Sequence, residues 1–221
     1  MNRIIRGGYA AGTLLCSLML AGCETPAPAI PQTALQNIRP PAQVKVDLDF
    51  RQHSEWTSAR REKALAAART LETVLNSPQF ADTLTQRQDL LLTEGLSAPE
   101  ILKVIRAGTP LQSLRDHPGD GSAKPITLAL SISPDTFEFS GYAGFTDLGT
   151  GIIYTKRIWF DRQNVCSLAG LFAHEHMHVL GFNHASFSHP WRGRSVPYAI
   201  GDMVSTLAEQ NTGTECAAGK S

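Results

Sequence analysis

The chain has 221 residues with 20 basic and 20 acidic side chains, so its formal net charge at neutral pH is zero. This balance excludes the basic surplus that binding to nucleic acid requires, and no nucleic-acid partner is expected. Apolar residues make up 42% of the chain, which is enough for one domain with a hydrophobic core.

The first 23 residues resemble a bacterial lipoprotein signal. Arg3 and Arg6 precede an apolar stretch that is too short for a comfortable membrane span, and small residues come directly before Cys23. The resemblance implies that residues 1–22 are a cleaved signal peptide and that Cys23 carries a diacylglycerol and an amine acylated with a fatty acid such as palmitate. Two or three acyl chains form a stable membrane anchor. An ordinary secretory signal or a short uncleaved anchor is the alternative.

Residues 23–43 comprise this cysteine and a segment rich in proline, alanine and glutamine. Such a composition predicts an extended, weakly structured tether that holds the rest of the chain away from the bilayer. Glu24 resembles the residue that follows the cysteine in lipoproteins sorted to the outer membrane. The predicted location is therefore the bacterial cell envelope, with the lipid anchor in the outer membrane.

Three helical patterns come next. Residues 54–76 carry apolar side chains near helical spacing, with Ser54 or Thr57 as the N-cap, and are expected to cover the back of a sheet. Two shorter helices are predicted over residues 78–94 and 98–107, and the second begins at a favourable Ser-Ala-Pro-Glu sequence.

Strand patterns follow the helices. Residues 125–133 alternate apolar and polar side chains, and residues 151–160 are rich in isoleucine, tyrosine and tryptophan. Between them, residues 137–146 are typical of a strand that Gly141 and Gly144 interrupt. These three segments predict a small sheet.

Residues 174–184 contain the pattern H-E-x-x-H-x-x-G-x-x-H. A helix places His174 and His178 on one face, so that both imidazoles can reach a common ion at about 2.0–2.1 Å. Gly181 can adopt the left-handed conformation that ends a helix, after which His184 turns back as the third ligand. Three neutral nitrogens with an open fourth position are typical of one catalytic Zn²⁺ rather than of a closed structural site.

Two further residues of this helix are interpreted from their position. Glu175 lies one residue beyond the first ligand, close enough to accept a proton from a metal-activated water without binding the metal, and it is the predicted catalytic base. His176 lies on another face of the helix, so packing, support of a ligand or surface exposure is expected for it.

These residues resemble the signature of the metzincin clan of zinc endopeptidases. The resemblance implies an α+β fold in which residues 44–221 form a single domain. In it a small twisted mixed sheet packs on helices, the active-site helix ends at a glycine turn, and a methionine turn lies below the zinc. Met203, which follows the turn-forming residues Gly201 and Asp202, is the candidate for that methionine, with an ordinary core residue as the alternative. Some metzincin families carry a tyrosine where this chain has Ser205, so the resemblance reaches the clan and no single family.

The resemblance also implies where a peptide substrate binds. In metzincins an edge strand ahead of the active helix pairs with the extended substrate, and glycine permits close backbone approach. Tyr198 is the candidate for a phenol that stabilises the oxyanion, with a core residue as the alternative. The candidate edge strand, for which a bulge or turn is the alternative, consists of Gly141, Tyr142, Ala143, Gly144 and Phe145.

Two cysteines remain once Cys16 leaves with the signal and Cys23 carries lipid. Cys166 and Cys216 then lie in an oxidising compartment, where a disulfide is the default expectation. This bond would tie the segment that carries Met203 to the metal helix. A pair of unpaired buried thiols is the alternative.

The predicted function is that of a lipid-anchored, zinc-dependent endopeptidase that hydrolyses a peptide or protein substrate with a water activated by zinc and Glu175. One alternative is a non-catalytic lipoprotein that keeps zinc for folding or partner binding. Another is a zinc amidase that acts on cell-wall peptides. Glu175 argues against the first alternative, because a structural site has no use for a carboxylate beside its ligands.

Overall fold

The computed structural model describes residues 28–51, 55–133, 144–184, 189–212 and 216. Within these ranges the chain forms eight α-helices and one four-stranded mixed sheet, which confirms the α+β fold class. The helices are α1 (Gln32–Asn37), α2 (Ser58–Asn76), α3 (Pro78–Thr85), α4 (Ala98–Ala107), α5 (Leu111–Asp116), α6 (Arg157–Arg162), α7 (Val165–Leu180) and α8 (Val196–Thr212). The strands are β1 (Val46–Phe50), β2 (Ile126–Ser133), β3 (Gly144–Asp147) and β4 (Ile152–Lys156).

The sheet has the strand order β1-β2-β4-β3. The first three strands are parallel, and β3 runs antiparallel to β4 at the edge. Leu130 pairs with Ile153, and Ile153 pairs with Thr146. Because neighbouring residues in register point to the same face of a sheet, Thr146 shares the face on which Leu130 and Ile153 are buried. This register directs the side chain of Thr146 toward the helices.

Helix α2 is an integral layer of the core. Thr57 caps it by accepting a hydrogen bond from the backbone N–H of Arg60, which confirms one of the two expected caps. Its residues Ala64, Ala68 and Leu71 are buried at helical spacing, and the helix packs against α7 and β1. Helix α7 is thereby held from behind.

Two predicted elements match closely and two end earlier than expected. Helix α4 and strand β2 occupy the predicted segments, and α4 begins with a capping box between Ser97 and Glu100. Helix α3 ends at Thr85 instead of residue 94. The residues after it form other contacts, since the N–H of Leu91 donates a hydrogen bond of 2.9 Å to the carbonyl of Arg194, and Leu92 and Glu94 adopt positive φ angles that a helix cannot contain.

Strand β4 ends at Lys156 instead of residue 160, and α6 begins at the next residue. Long-range contacts favour the helix, since Phe160 packs edge-on against Trp56 and Asp161 accepts two hydrogen bonds from Arg60. Of the strand predicted over residues 137–146, only the end from Gly144 onward lies within the described residues, where it forms part of β3.

The tether prediction is wrong for residues 28–38. Ala34 and Leu35 of α1 are buried, as are the flanking Ile30 and Ile38, and the side chain of Arg115 donates a hydrogen bond of 3.0 Å to the carbonyl of Pro28. Burial of these apolar side chains is favourable in free energy, whereas a solvated tether would leave them exposed to water. Residues 1–27, including Cys23, lie outside the described residues. No helix that the structure describes has both the length and the apolarity needed to cross a bilayer.

Candidate metal centre

Helix α7 carries the histidine pattern and ends where the sequence predicts. Asn164 caps its start by accepting a hydrogen bond of 2.7 Å from the backbone N–H of Ser167. At the other end Gly181 adopts a left-handed conformation with φ of 98°, and the N–H of Phe182 returns to the carbonyl of Met177 at 2.9 Å. The chain therefore turns sharply after the second predicted ligand.

The three predicted ligand histidines converge. His174, His178 and His184 each offer one ring nitrogen, and these three nitrogens lie within 4.8 Å of one another. The ring centroids are 4.9 to 5.5 Å apart. This confirms a histidine triad that can hold a metal ion.

The donor chemistry of two of these rings fits a metal ion. The Nδ1–H of His178 donates a hydrogen bond of 2.9 Å to the carbonyl of Phe182, because a carbonyl can only accept, and this leaves Nε2 for the metal. A backbone hydrogen bond at Pro197 engages His174 in a similar way. Burial lowers the pKa of His174 to about 3 and that of His178 to about 4. Both rings are therefore neutral at pH 7, as metal ligation requires.

Glu175 is a buried carboxylate beside the triad. Its side chain is 3% exposed, and the hydroxyl of Thr146 lies 2.8 Å from Oε2 and 3.1 Å from the backbone carbonyl of Glu175. Burial raises the pKa of Glu175 to about 7, while the hydrogen bonds from Thr146 oppose this rise. A carboxyl group with such a pKa can both accept and release a proton near neutral pH.

His176 lies between the two helical ligands but outside the triad. Its side chain is buried, and neither ring nitrogen has a hydrogen-bond partner among the described residues. Burial lowers its pKa to about 4, so the ring is neutral. Of the roles expected for His176, packing in the core is the one that its surroundings support.

The methionine turn predicted at Met203 is wrong, because this residue lies inside helix α8. Pro197 is the second residue of that helix, where the missing N–H costs nothing, and Ile200, Val204 and Ala208 are buried at helical spacing. Met203 is also buried and does not belong to the described residues that line the cavity at the histidines. It is a core residue.

Gly201 lies within α8 at the point where α8 and α7 approach each other very closely. A Cβ atom at Gly201 would lie 2.9 Å from the carbonyl oxygen of Gly170 and 3.1 Å from Cβ of His174. A Cβ atom at Gly170 would lie 2.7 Å from the carbonyl oxygen of Gly201. This pair of glycines therefore sets the position of α8 against the first ligand.

A disulfide bond joins Cys166, in the first turn of α7, to Cys216, which follows α8 in the chain. Their Cα atoms are 5.5 Å apart and 50 residues separate them in sequence. The bond confirms the predicted pairing. It ties the start of the metal-binding helix to the segment beyond the helix that packs against it.

A cavity of about 560 Å³ opens over the triad. Residues of strand β3, helix α7 and helix α8 line it. Gly144 and Phe145 of the predicted substrate strand line this cavity, and β3 pairs with β4 along Gly144–Asp147 as a regular antiparallel ladder. Gly141, Tyr142 and Ala143 lie outside the described residues.

Tyr198 lines the same cavity from α8. Its ring centroid is 4.4 Å from that of His174 and 5.1 Å from that of His184. The guanidinium carbon of Arg192 lies 4.3 Å from the centre of the Tyr198 ring, within the range of a cation–π contact. The structure thus brings the ring of Tyr198 to the histidine triad.

Three residues of the cavity have no local sequence signal that points to them. Thr146, Arg192 and Asp202 come from a strand, a short 3₁₀ helix and α8, and meet at the cavity through tertiary packing. Thr146 is a strand residue by composition alone, and its contact with Glu175 depends on the sheet register.

Comparisons with protein families, curated proteins and solved structures gave no significant match. The geometry of the site therefore carries the functional assignment.

Proposed function

We propose that this protein is a zinc-dependent endopeptidase of the bacterial cell envelope, metzincin-like in its histidine motif. The observation that carries the proposal is the convergence of three imidazoles beside a buried carboxylate in an open cavity. A closed structural zinc site requires four protein ligands, whereas three histidines leave one position open.

The residues fit zinc better than magnesium or calcium. Neutral imidazole nitrogens suit zinc, while magnesium and calcium prefer oxygen ligands. His178 is oriented through its second ring nitrogen, as is typical of metal-binding histidines. When bound, zinc would supply Lewis-acid activation of a water molecule and of the substrate carbonyl.

Glu175 would move the proton in the reaction. The hydroxyl of Thr146 orients the carboxylate through Oε2, and the carboxylate would take a proton from the attacking water. The raised pKa favours holding that proton until the leaving amine accepts it. Tyr198, packed against His174, would donate a hydrogen bond to the oxyanion that develops on the substrate.

Strand β3 would hold the substrate. It pairs with β4 on one side, lies at the edge of the sheet and contributes Gly144, Phe145 and Thr146 to the cavity. An extended peptide that adds to this edge gains main-chain hydrogen bonds and passes over the triad. This mode of binding supports cleavage within a peptide chain.

The cellular setting is part of the proposal. A disulfide between Cys166 and Cys216 is typical of proteins outside the reducing cytosol. It supports export, and the lipoprotein-like signal supports a lipid anchor at Cys23.

Glu175→Gln provides the direct test. The wild type, this variant and a control, Glu209→Gln, are loaded with zinc, and each is incubated with a peptide library derived from a proteome. Glu209 is an exposed acid on α8 that does not line the cavity. We expect the wild type and the control to cleave peptides, cleavage to stop with a chelator, and Glu175→Gln to lose at least about 1,000-fold in kcat. Zinc content should stay at one ion per chain in all three proteins.

Two other outcomes would favour a different function. Full zinc occupancy without cleavage by any of the three proteins would favour the non-catalytic binding module. Cleavage of purified peptidoglycan, with no cleavage of the peptide library, would favour the cell-wall amidase.

A further inference from the structure

One wall of the cavity carries an acidic side chain that the proposed chemistry does not use. Asp202 of α8 lines the cavity, and among the described lining residues it is the sole acid besides Glu175. Glu175 is already engaged by Thr146. Asp202 is therefore available to a ligand in the cavity.

The charge of Asp202 is not neutralised by a close partner. No hydrogen bond or ion pair to its carboxylate is found among the described residues. Arg87 is the cation whose charge acts on it, but the guanidinium of Arg87 forms hydrogen bonds to both carboxylate oxygens of Asp89. Asp202 is exposed to water, and the partial loss of hydration at the cavity wall raises its pKa. An exposed carboxylate with no cation bound to it can form an ion pair with a cationic ligand.

Asp202 lies close to the place where a peptide bond would be cut. Gly201, its neighbour, approaches Cβ of His174, and Tyr198 packs against the same histidine one helical turn earlier. One turn of helix advances about 5.4 Å, and an extended peptide advances about 3.3 Å per residue. A substrate side chain within two residues of the cleaved bond would therefore reach the carboxylate.

The rest of the cavity suits a long side chain with a charged end. Phe145, Trp159 and Leu171 supply apolar surface that can cover the methylene stem of lysine or arginine. Arg192 places its positive charge over Tyr198. The charges beside α8 therefore differ, because Arg192 is positive next to Tyr198 and Asp202 is negative one turn later. A basic side chain is drawn to the position of Asp202.

We propose that Asp202 makes the cavity select peptides with a lysine or arginine within two residues of the cleaved bond. This inference rests on the proposed peptidase function and names its substrate class. Because the carboxylate is partly accessible to water, the ion pair is expected to contribute about a tenfold preference.

The test uses the full chain, solubilised in detergent and loaded with zinc. The library digest first identifies the position with the strongest preference. Two synthetic peptides that differ at that position, one with lysine and the other with glutamine, are then used as substrates for the wild type, Asp202→Asn and the control Glu209→Gln. We expect a lysine-to-glutamine ratio in kcat/KM of about ten for the wild type and the control, and a ratio near one for Asp202→Asn. Asp202→Lys should favour a third peptide with glutamate at that position.

A binding measurement separates this inference from the peptidase proposal. The same lysine and glutamine peptides, labelled with a fluorophore, are titrated into Glu175→Gln and into Glu175→Gln with Asp202→Asn. Tenfold weaker binding of the lysine peptide by the double variant than by Glu175→Gln would uphold the selectivity, even if the wild type cleaved nothing. Equal affinities in both proteins, or an unchanged kcat/KM ratio in Asp202→Asn, would overturn it.

Discussion

Helices α7 and α8 line the same cavity, but they acquire their roles in different ways. In α7, spacing along one helix brings His174 and His178 together, and a single glycine ends the helix before His184. In α8, Tyr198 and Asp202 reach the cavity because Gly201 lets the helix lie directly against Gly170. Local spacing thus positions the proposed chemistry, and tertiary packing positions the residues proposed to recognise the substrate.

The largest expected effect lies in α7. His178→Ala should abolish peptide cleavage and should also remove the stabilisation that zinc gives to the folded protein, which is about 4 kcal/mol at a free zinc concentration 1,000 times the Kd. The measurement is the difference in Tm with zinc and with a chelator. His176→Gln is the matched control, since this histidine is on the same helix and outside the triad. Its zinc-dependent shift in Tm should persist whatever its starting Tm, and loss of that shift would argue that His176 supports the metal.

Removing the disulfide bond between Cys166 and Cys216 should have the next largest effect. The double variant Cys166→Ser with Cys216→Ser should lose about 4 kcal/mol in the free energy of unfolding, because the bond closes a loop of 50 residues in the unfolded chain. Denaturant unfolding of the metal-free proteins measures this loss. An equal stability of the oxidised wild type and the double variant would contradict the expectation.

A smaller loss is expected when α8 is pushed away from α7. Gly201→Ala places a methyl group 2.9 Å from a backbone carbonyl and should lower the free energy of unfolding by about 1–3 kcal/mol. Since the added atom also meets His174, zinc affinity should fall as well. Gly119→Ala is the control, because nothing lies within 4 Å of a Cβ atom there. Unchanged zinc affinity in Gly201→Ala would show that α8 does not set the position of the ligand.

The smallest expected effect concerns the orientation of Glu175. Thr146→Val removes the hydroxyl that holds Oε2 and should lower kcat about tenfold with little change in zinc content. Thr146→Ser keeps the hydroxyl and should restore most of the rate. A valine variant with the rate of the wild type would show that packing alone orients the carboxylate.

The same contrast explains what the sequence predicts well. The start of α4 at Ser97, the end of α7 at Gly181 and the histidine triad all depend on residues within a few positions of one another. Caps, glycine turns and helical spacing act over that range. The pairing of Cys166 with Cys216 follows from the small number of cysteines.

The errors arise where distant contacts decide the structure. Gly201 and Asp202 are good turn residues in isolation, yet burial of Ile200 and Val204 and the close contact with Gly170 keep this segment helical. Useful signals were present in the sequence, namely Pro197 in a first helical turn and apolar residues at helical spacing after it. No spacing rule could have placed Thr146 beside Glu175, because sheet register brings them together.

The packing of residues 28–38 limits how far this protein could extend from a lipid on Cys23. Arg115 holds Pro28 against the fold, and five residue steps separate Pro28 from Cys23. Five extended residues span at most about 18 Å. With lipid on Cys23, so short a connection would keep the protein at the bilayer surface. Its effective concentration would be high for polypeptides that emerge from or lie along the same membrane, and low for freely diffusing ones.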